Sequence, residues 1–103
     1  MSVEDKVKFS ELYDEYAPLL TKNKREVFEM HYKLDLSLGE IAEIRGVSRQ
    51  SASDCIAGVK EQLSSYEEKL GVLKLKRALL SLAEGLEDEE VKSEIKKVLD
   101  GDI

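Results

Sequence analysis

The sequence predicts an all-α chain, a helix-turn-helix bundle with a C-terminal helical extension. Three observations carry this reading. The 103 residues hold one proline, no tryptophan and few β-branched runs. Apolar residues recur at helical spacing through most of the chain. Between Ser37 and Ile56, capping and turn residues fall where two helices meeting at a corner need them. The length fits one small domain, or one domain plus an extension. Residues 1–65 are expected to form the helix-turn-helix domain, and residues 66–103 an extension that serves as a dimerisation element.

Each element has its own signal. Ser10 is placed to cap a first helix carrying Leu12, Tyr13 and Tyr16, which Pro18 ends or kinks. Thr21 caps a second helix from Lys22 to about Lys33, with Val27, Phe28, His31 and Tyr32 as inward candidates. Ser37 caps the third, Leu38 to Arg45, whose apolar face is Leu38, Ile41 and Ala42. Gly46 falls at the turn, where a positive φ is expected. Val47 plugs the corner, and Ser48 is the N-cap of the fourth helix, about Arg49 to Leu63. Ala52, Ile56, Val59 and Leu63 form its buried stripe, with Cys55 beside it. The pair Ser64-Ser65 either breaks that helix or caps the next.

The last forty residues carry two apolar stripes. One is Leu63, Tyr66, Leu70, Leu73 and Leu80; the other is Val72, Leu75, Leu79, Leu82 and Leu86. A helix on one small core needs a single stripe. Either a second chain covers the other, with Leu70, Leu73, Leu75, Leu79 and Leu82 as the dimer contacts, or the final helix does, through Val91, Ile95, Val98 and Leu99. Gly71 and Gly85 are candidate breaks.

Stripping the buried positions from the fourth helix leaves Arg49, Gln50, Ser53 and Asp54 facing outward from its first half, the part of this motif that reaches base edges. Arg pairs bidentately with guanine and Gln with adenine. Ser48, Lys22, Lys24, Arg25 and Lys60 complete the candidate nucleic-acid set, the cations as phosphate contacts. A solvated polar turn is the plain alternative for each. Asp54 repels phosphate, accepts from a cytosine amino group, or marks a protein-binding face. Lys69, Lys74, Lys76 and Arg77 form a second basic cluster, with Lys69 and Lys76 one heptad apart. It reads as a phosphate-tracking patch or as the polar side of an amphipathic helix.

Charge tempers the nucleic-acid reading. The chain carries −6 overall. Residues 21–63 hold seven basic and seven acidic residues and are neutral, so the acidity lies on either side. Non-specific affinity for nucleic acid comes almost wholly from Lys and Arg. Catalysis finds no support: the single histidine has no nucleophile beside it, and no phosphate-cradling glycine loop is present. One cysteine and one histidine make neither a disulfide nor a zinc set, so no cofactor or metal is expected. The acidic Met1-Ser2-Val3-Glu4-Asp5-Lys6 start is no signal peptide, and no segment reaches the about 20 apolar residues of a membrane span. The expected compartment is the cytoplasm.

Two stretches carry a resemblance. Thr21 to Tyr32, followed by Leu36 to Glu43 and Gly46 to Ala52, resembles region 4 of bacterial sigma factors. Ser48-Arg49-Gln50, Asp54 and the segment Leu63 to Leu73 resemble the YlxM family, small cytoplasmic helix-turn-helix proteins. The similarity runs from about Phe9 to Leu86. It implies a sigma-region-4-like helical fold, no catalysis, and a link to the signal recognition particle pathway. Its implied partners are nucleic acid (DNA or the particle's RNA) or, alternatively, the particle's GTPase, docked through the same surface. Arg45, where the family carries an apolar residue, and Ala52 and Ser53, where Val and a larger residue are usual, predict thinner packing between the two motif helices.

Overall fold

The computed structural model describes residues 2–101. Among them are six α-helices and one 3-10 turn, with no strand: α1 (Val3–Tyr16), the turn Ala17–Leu19, α2 (Lys22–Tyr32), α3 (Leu38–Arg45), α4 (Arg49–Leu70), α5 (Val72–Glu84) and α6 (Glu89–Leu99). The chain forms two compact units that divide between Lys69 and Leu70.

The first unit is built on an aromatic core. Phe28 stacks on Tyr32 at 4.1 Å between ring centres and on Tyr13 at 4.6 Å. Offset ring pairs of this kind add to the energy of burial. Phe9, Leu12 and Tyr16 from α1, Leu20 ahead of α2, Val27 from α2, Ile41 and Ala42 from α3, and Ala52, Ile56, Val59 and Leu63 from α4 complete the core. Phe28, Ile41, Val59 and Leu63 are fully buried. The Tyr13 hydroxyl donates to Glu29 at 2.7 Å. Burial, then the Glu29 bond, raises its pKa far above the ordinary phenol value.

Local chemistry starts most helices where the sequence places them. Thr21 Oγ1 accepts from the Lys24 N–H to cap α2, and Pro18 turns the chain after α1. Two starts and stops differ from expectation. Ser2, not Ser10, caps α1 by accepting from the Asp5 N–H. Starting α1 at Val3 places Asp5 and Lys6 where they bind Lys60 and Asp35. At the other end α4 runs straight through Ser64 and Ser65 to Leu70. Tertiary contacts override two residues of modest helix propensity: Tyr66 donates to the Leu19 carbonyl, and Tyr16 donates to Glu67.

The second unit is a helical hairpin. Gly71 takes the left-handed conformation, φ 62°, and ends the run that would have joined α4 to α5. The stripe Leu63, Tyr66, Leu70, Leu73, Leu80 is therefore not one face. Leu70 closes α4, while Leu73 lies on α5. The heptad spacing of Lys69 and Lys76 likewise spans two helices. Within the hairpin, α5 and α6 enclose a groove of about 440 Å³ floored by Leu73, Leu80 and Leu99, and Lys96 binds Glu84 at 2.7 Å across it. Helix α5 thus presents one side to α6. Leu75, Leu79, Leu80, Leu82 and Leu86 remain exposed.

Truncating Phe28 to alanine removes both ring stacks from a site with no exposure. It lowers stability by about 3–5 kcal/mol in urea unfolding. Val3→Ala, at an 80% exposed position, shifts it by about 0.5 kcal/mol or less.

Candidate nucleic-acid interface

The corner between α3 and α4 is set by a short series of backbone devices. Ser37 and Glu40 form a reciprocal capping box: Ser37 Oγ accepts from the Glu40 N–H at 3.1 Å, and Glu40 Oε1 accepts from the Ser37 N–H at 3.0 Å. Gly46 adopts φ 68°, ψ 35°, and the N–H groups of Gly46 and Val47 both return to the Ala42 carbonyl. A side chain at Gly46 would be strained there. Ser48 Oγ then accepts from the Ser51 N–H at 3.0 Å and starts α4.

Arg45 fixes this corner to the rest of the unit. Its guanidinium donates to Glu26 Oε2 at 2.9 Å and to Asn23 Oδ1 at 2.6 Å, tying the end of α3 to α2. The sequence gives no hint of this, because the partners lie 19 and 22 residues upstream. The two motif helices bury Ile41, Ala42, Ala52 and Ile56. A cleft of about 110 Å³ opens among Val27, Ile41, Arg45, Val47, Ala52 and Cys55. Val47 does not plug the corner fully and is 44% exposed.

With Ala52, Ile56, Val59 and Leu63 buried, α4 turns a defined face outward. Arg49, Gln50, Asp54, Ala57 and Glu61 are exposed, and Ser53 is half-buried. Gln50 Nε2 donates to Asp54 Oδ1 at 2.8 Å, one turn along the helix. The i, i+4 spacing was the available signal for this pair. It engages the Gln50 amide and the Asp54 carboxylate with each other.

The expected phosphate contacts separate into two kinds. Lys22 stands out, with its side chain 83% exposed and 4.0 Å from Glu26. At that distance and exposure the pair contributes little. The others are engaged within the unit. Lys24 donates to Gln62 Oε1 at 2.7 Å, tying α2 to α4, and Arg25 Nη1 donates to the Leu20 carbonyl at 3.4 Å. Lys60 turns inward to Asp5 Oδ2 at 3.1 Å and lies over the Phe9 ring at 4.7 Å. Burial opposes its charge, but Asp5 and the neighbouring Tyr32 more than offset this, and its pKa stands above the ordinary lysine value. Lys60 is a brace between α4 and α1. The structure thus brings Arg49, Gln50, Ser53 and Asp54 together behind Ser48, with Lys22 on the preceding helix, and leaves Lys60 out.

Among the described residues no helix is long and apolar enough to cross a membrane, and no group of three or more His, Cys, Asp or Glu is placed to hold a metal.

Two outcomes follow from this geometry. The capping box lowers the Glu40 pKa, first through the backbone hydrogen bond from Ser37 and then through the Ser37 side chain. A depressed folded value means stability present above the unfolded pKa near 4.5 and lost as pH falls through the lower folded value. Glu40→Gln therefore lowers the melting temperature at neutral pH and makes little difference at pH below both values. Lys60→Ala removes a charged hydrogen bond and a cation–ring contact and lowers stability by about 1–2 kcal/mol in chemical unfolding.

Comparison with known proteins agrees with this architecture. A family model described as "Putative helix-turn-helix protein, YlxM / p13 like" matches residues 3–101. A UPF0122 protein of Caldanaerobacter subterraneus subsp. tengcongensis is 44% identical over 77 residues, 75% of this chain and 66% of the relative. One of Clostridium botulinum is 48% identical over 71 residues, covering 69% and 65%. One of Clostridium novyi is 34% identical over 105 residues, covering 95% and 91%. No solved structure matches the chain. With the model spanning both units and the relatives covering most of the chain, this protein belongs to the YlxM / p13-like helix-turn-helix family.

Proposed function

We propose that this chain is a non-enzymatic, cytoplasmic nucleic-acid-binding accessory protein, and that the first half of α4 is its reading surface. One observation carries the proposal. The capped corner at Gly46 and Ser48 leaves Arg49 and Gln50 outward, with Ser53 half-buried beside them, on a helix whose opposite side is locked in the core. Arg49 supplies the guanine or phosphate contact. Gln50 reads an adenine edge once it exchanges Asp54 for the base, and Ser53 adds a hydroxyl donor. Lys22 holds a flanking phosphate. The family resemblance directs the search to the signal recognition particle's RNA beside duplex DNA.

The engagement of Lys24 and Lys60 sets the expected strength. With Arg49 and Lys22 as the outward cations, each helix-turn-helix neutralises about two phosphates, so log K falls with log salt at a slope of about −2. Binding is then micromolar or weaker at physiological salt. Labelled duplex DNA and the particle's RNA, titrated by fluorescence anisotropy at several salt concentrations, test this. Arg49→Ala weakens binding by about 1–3 kcal/mol. Lys60→Ala leaves the salt slope unchanged despite its loss of stability. Absence of binding to either nucleic acid at low salt overturns the proposal.

A second reading rests on Asp54 and Glu61, two carboxylates on the outward face of α4. In it the same surface docks a protein, such as the particle's GTPase. A partner retained after nuclease treatment, with little response to salt and insensitive to Arg49→Glu, selects this reading.

A further inference from the structure

Among the described residues, no side chain ahead of Phe9 is buried. Val3 and Val7, the apolar residues in the first two turns of α1, face water. Two ion pairs tie these turns to the rest of the first unit. Lys6 meets Asp35, in the loop after α2, and Asp5 meets Lys60, on α4, at 3.1 Å. A helix end with no buried apolar contact opens locally, far below the cost of global unfolding. Phe9, buried with the Lys60 ammonium 4.7 Å from its ring centre, marks where α1 becomes part of the core.

Lys60 stands in line with the proposed reading surface. It follows Ser53 by seven residues and Arg49 by eleven. At 3.6 residues per turn and 1.5 Å per residue, each spacing returns it to within about 20° around α4, about 10 Å past Ser53 and about 16 Å past Arg49. In the homeodomain form of this motif, the later turns of the reading helix meet the phosphate backbone. The Asp5 carboxylate offers Lys60 the partner that a phosphate would, an anionic oxygen. The side chains of Lys60 and Asp5 are 31% and 35% exposed, so exchanging one anion for the other takes place at the water boundary. Glu4, exposed in the same turn of α1, adds a second negative charge there.

We propose that the first turn of α1 is an autoinhibitory contact, in which Asp5 occupies Lys60 and withholds it from the nucleic-acid backbone. Release of this turn adds Lys60 to Arg49 and Lys22 as a third phosphate contact. The inference rests on α4 as the reading surface and gives that surface a weak and a strong form. In the closed form Lys60 contributes stability; in the open form it contributes affinity.

Fluorescence anisotropy with a labelled random-sequence duplex DNA and a labelled RNA hairpin tests the contact, on variants whose far-ultraviolet circular dichroism matches the wild type. Asp5→Ala is expected to tighten binding about threefold to tenfold at ~50 mM salt and to steepen the slope of log K against log salt by about one. Asp5→Asn, which keeps the shape of the side chain, is expected to move both in the same direction. Glu4→Ala removes an equal charge from the same turn and is expected to leave the slope unchanged. Adding Lys60→Ala to Asp5→Ala is expected to return affinity and slope to wild-type values. Wild-type binding that neither Asp5 variant tightens overturns the inference and leaves the reading surface standing. So does a gain that survives Lys60→Ala, or one that Glu4→Ala matches. Absence of binding by the wild type and every variant overturns both.

Discussion

Burial of the stripe Ala52, Ile56, Val59 and Leu63 is the constraint on which the first unit depends. Val59 and Leu63 have no exposure, and they enter the same core as the Tyr13, Phe28 and Tyr32 rings. A helix with one apolar stripe has one rotational setting that keeps it out of water. That setting decides which residues of α4 face solvent: Arg49, Gln50 and Asp54 are outward, with Ser53 half-buried beside them, because Ala52 and Ile56 are inward. The corner fixes the direction of the helix, and the core fixes its rotation.

Electrostatics then sets what the surface can hold. The charge count of residues 21–63 is neutral, and in the structure some of its cations also meet carboxylates of α1. Cations and carboxylates pair across elements: Lys60 with Asp5, Arg45 with Glu26, Lys33 with Asp14. These contacts hold α1, α2, α3 and α4 together, and each removes a positive charge from the outward field.

Local chemistry was legible in the sequence; distant partners were not. Ser37, Gly46 and Ser48 announce the corner because caps and turns are decided within three or four residues. The α4 stripe is legible for the same reason, through its period. Ser10 misleads because a serine before an apolar run looks the same whether or not the helix has already begun at Ser2. Ser64 and Ser65 mislead because Tyr66 and Glu67 find partners on α1 and the turn after it, about 50 residues away. Lys60 looks like a phosphate contact until Asp5, 55 residues upstream, is seen beside it. In the hairpin, two leucine stripes are legible, but only the break at Gly71 shows which leucines share a helix.

The central claim is that the first half of α4 is the reading surface. Backbone amide chemical-shift mapping during titration with the bound nucleic acid tests it most directly. The account predicts shifts concentrated from Ser48 to Ala57, with smaller ones at Lys22 and none at Lys60. Shifts that spare this segment and gather elsewhere on the chain would contradict it.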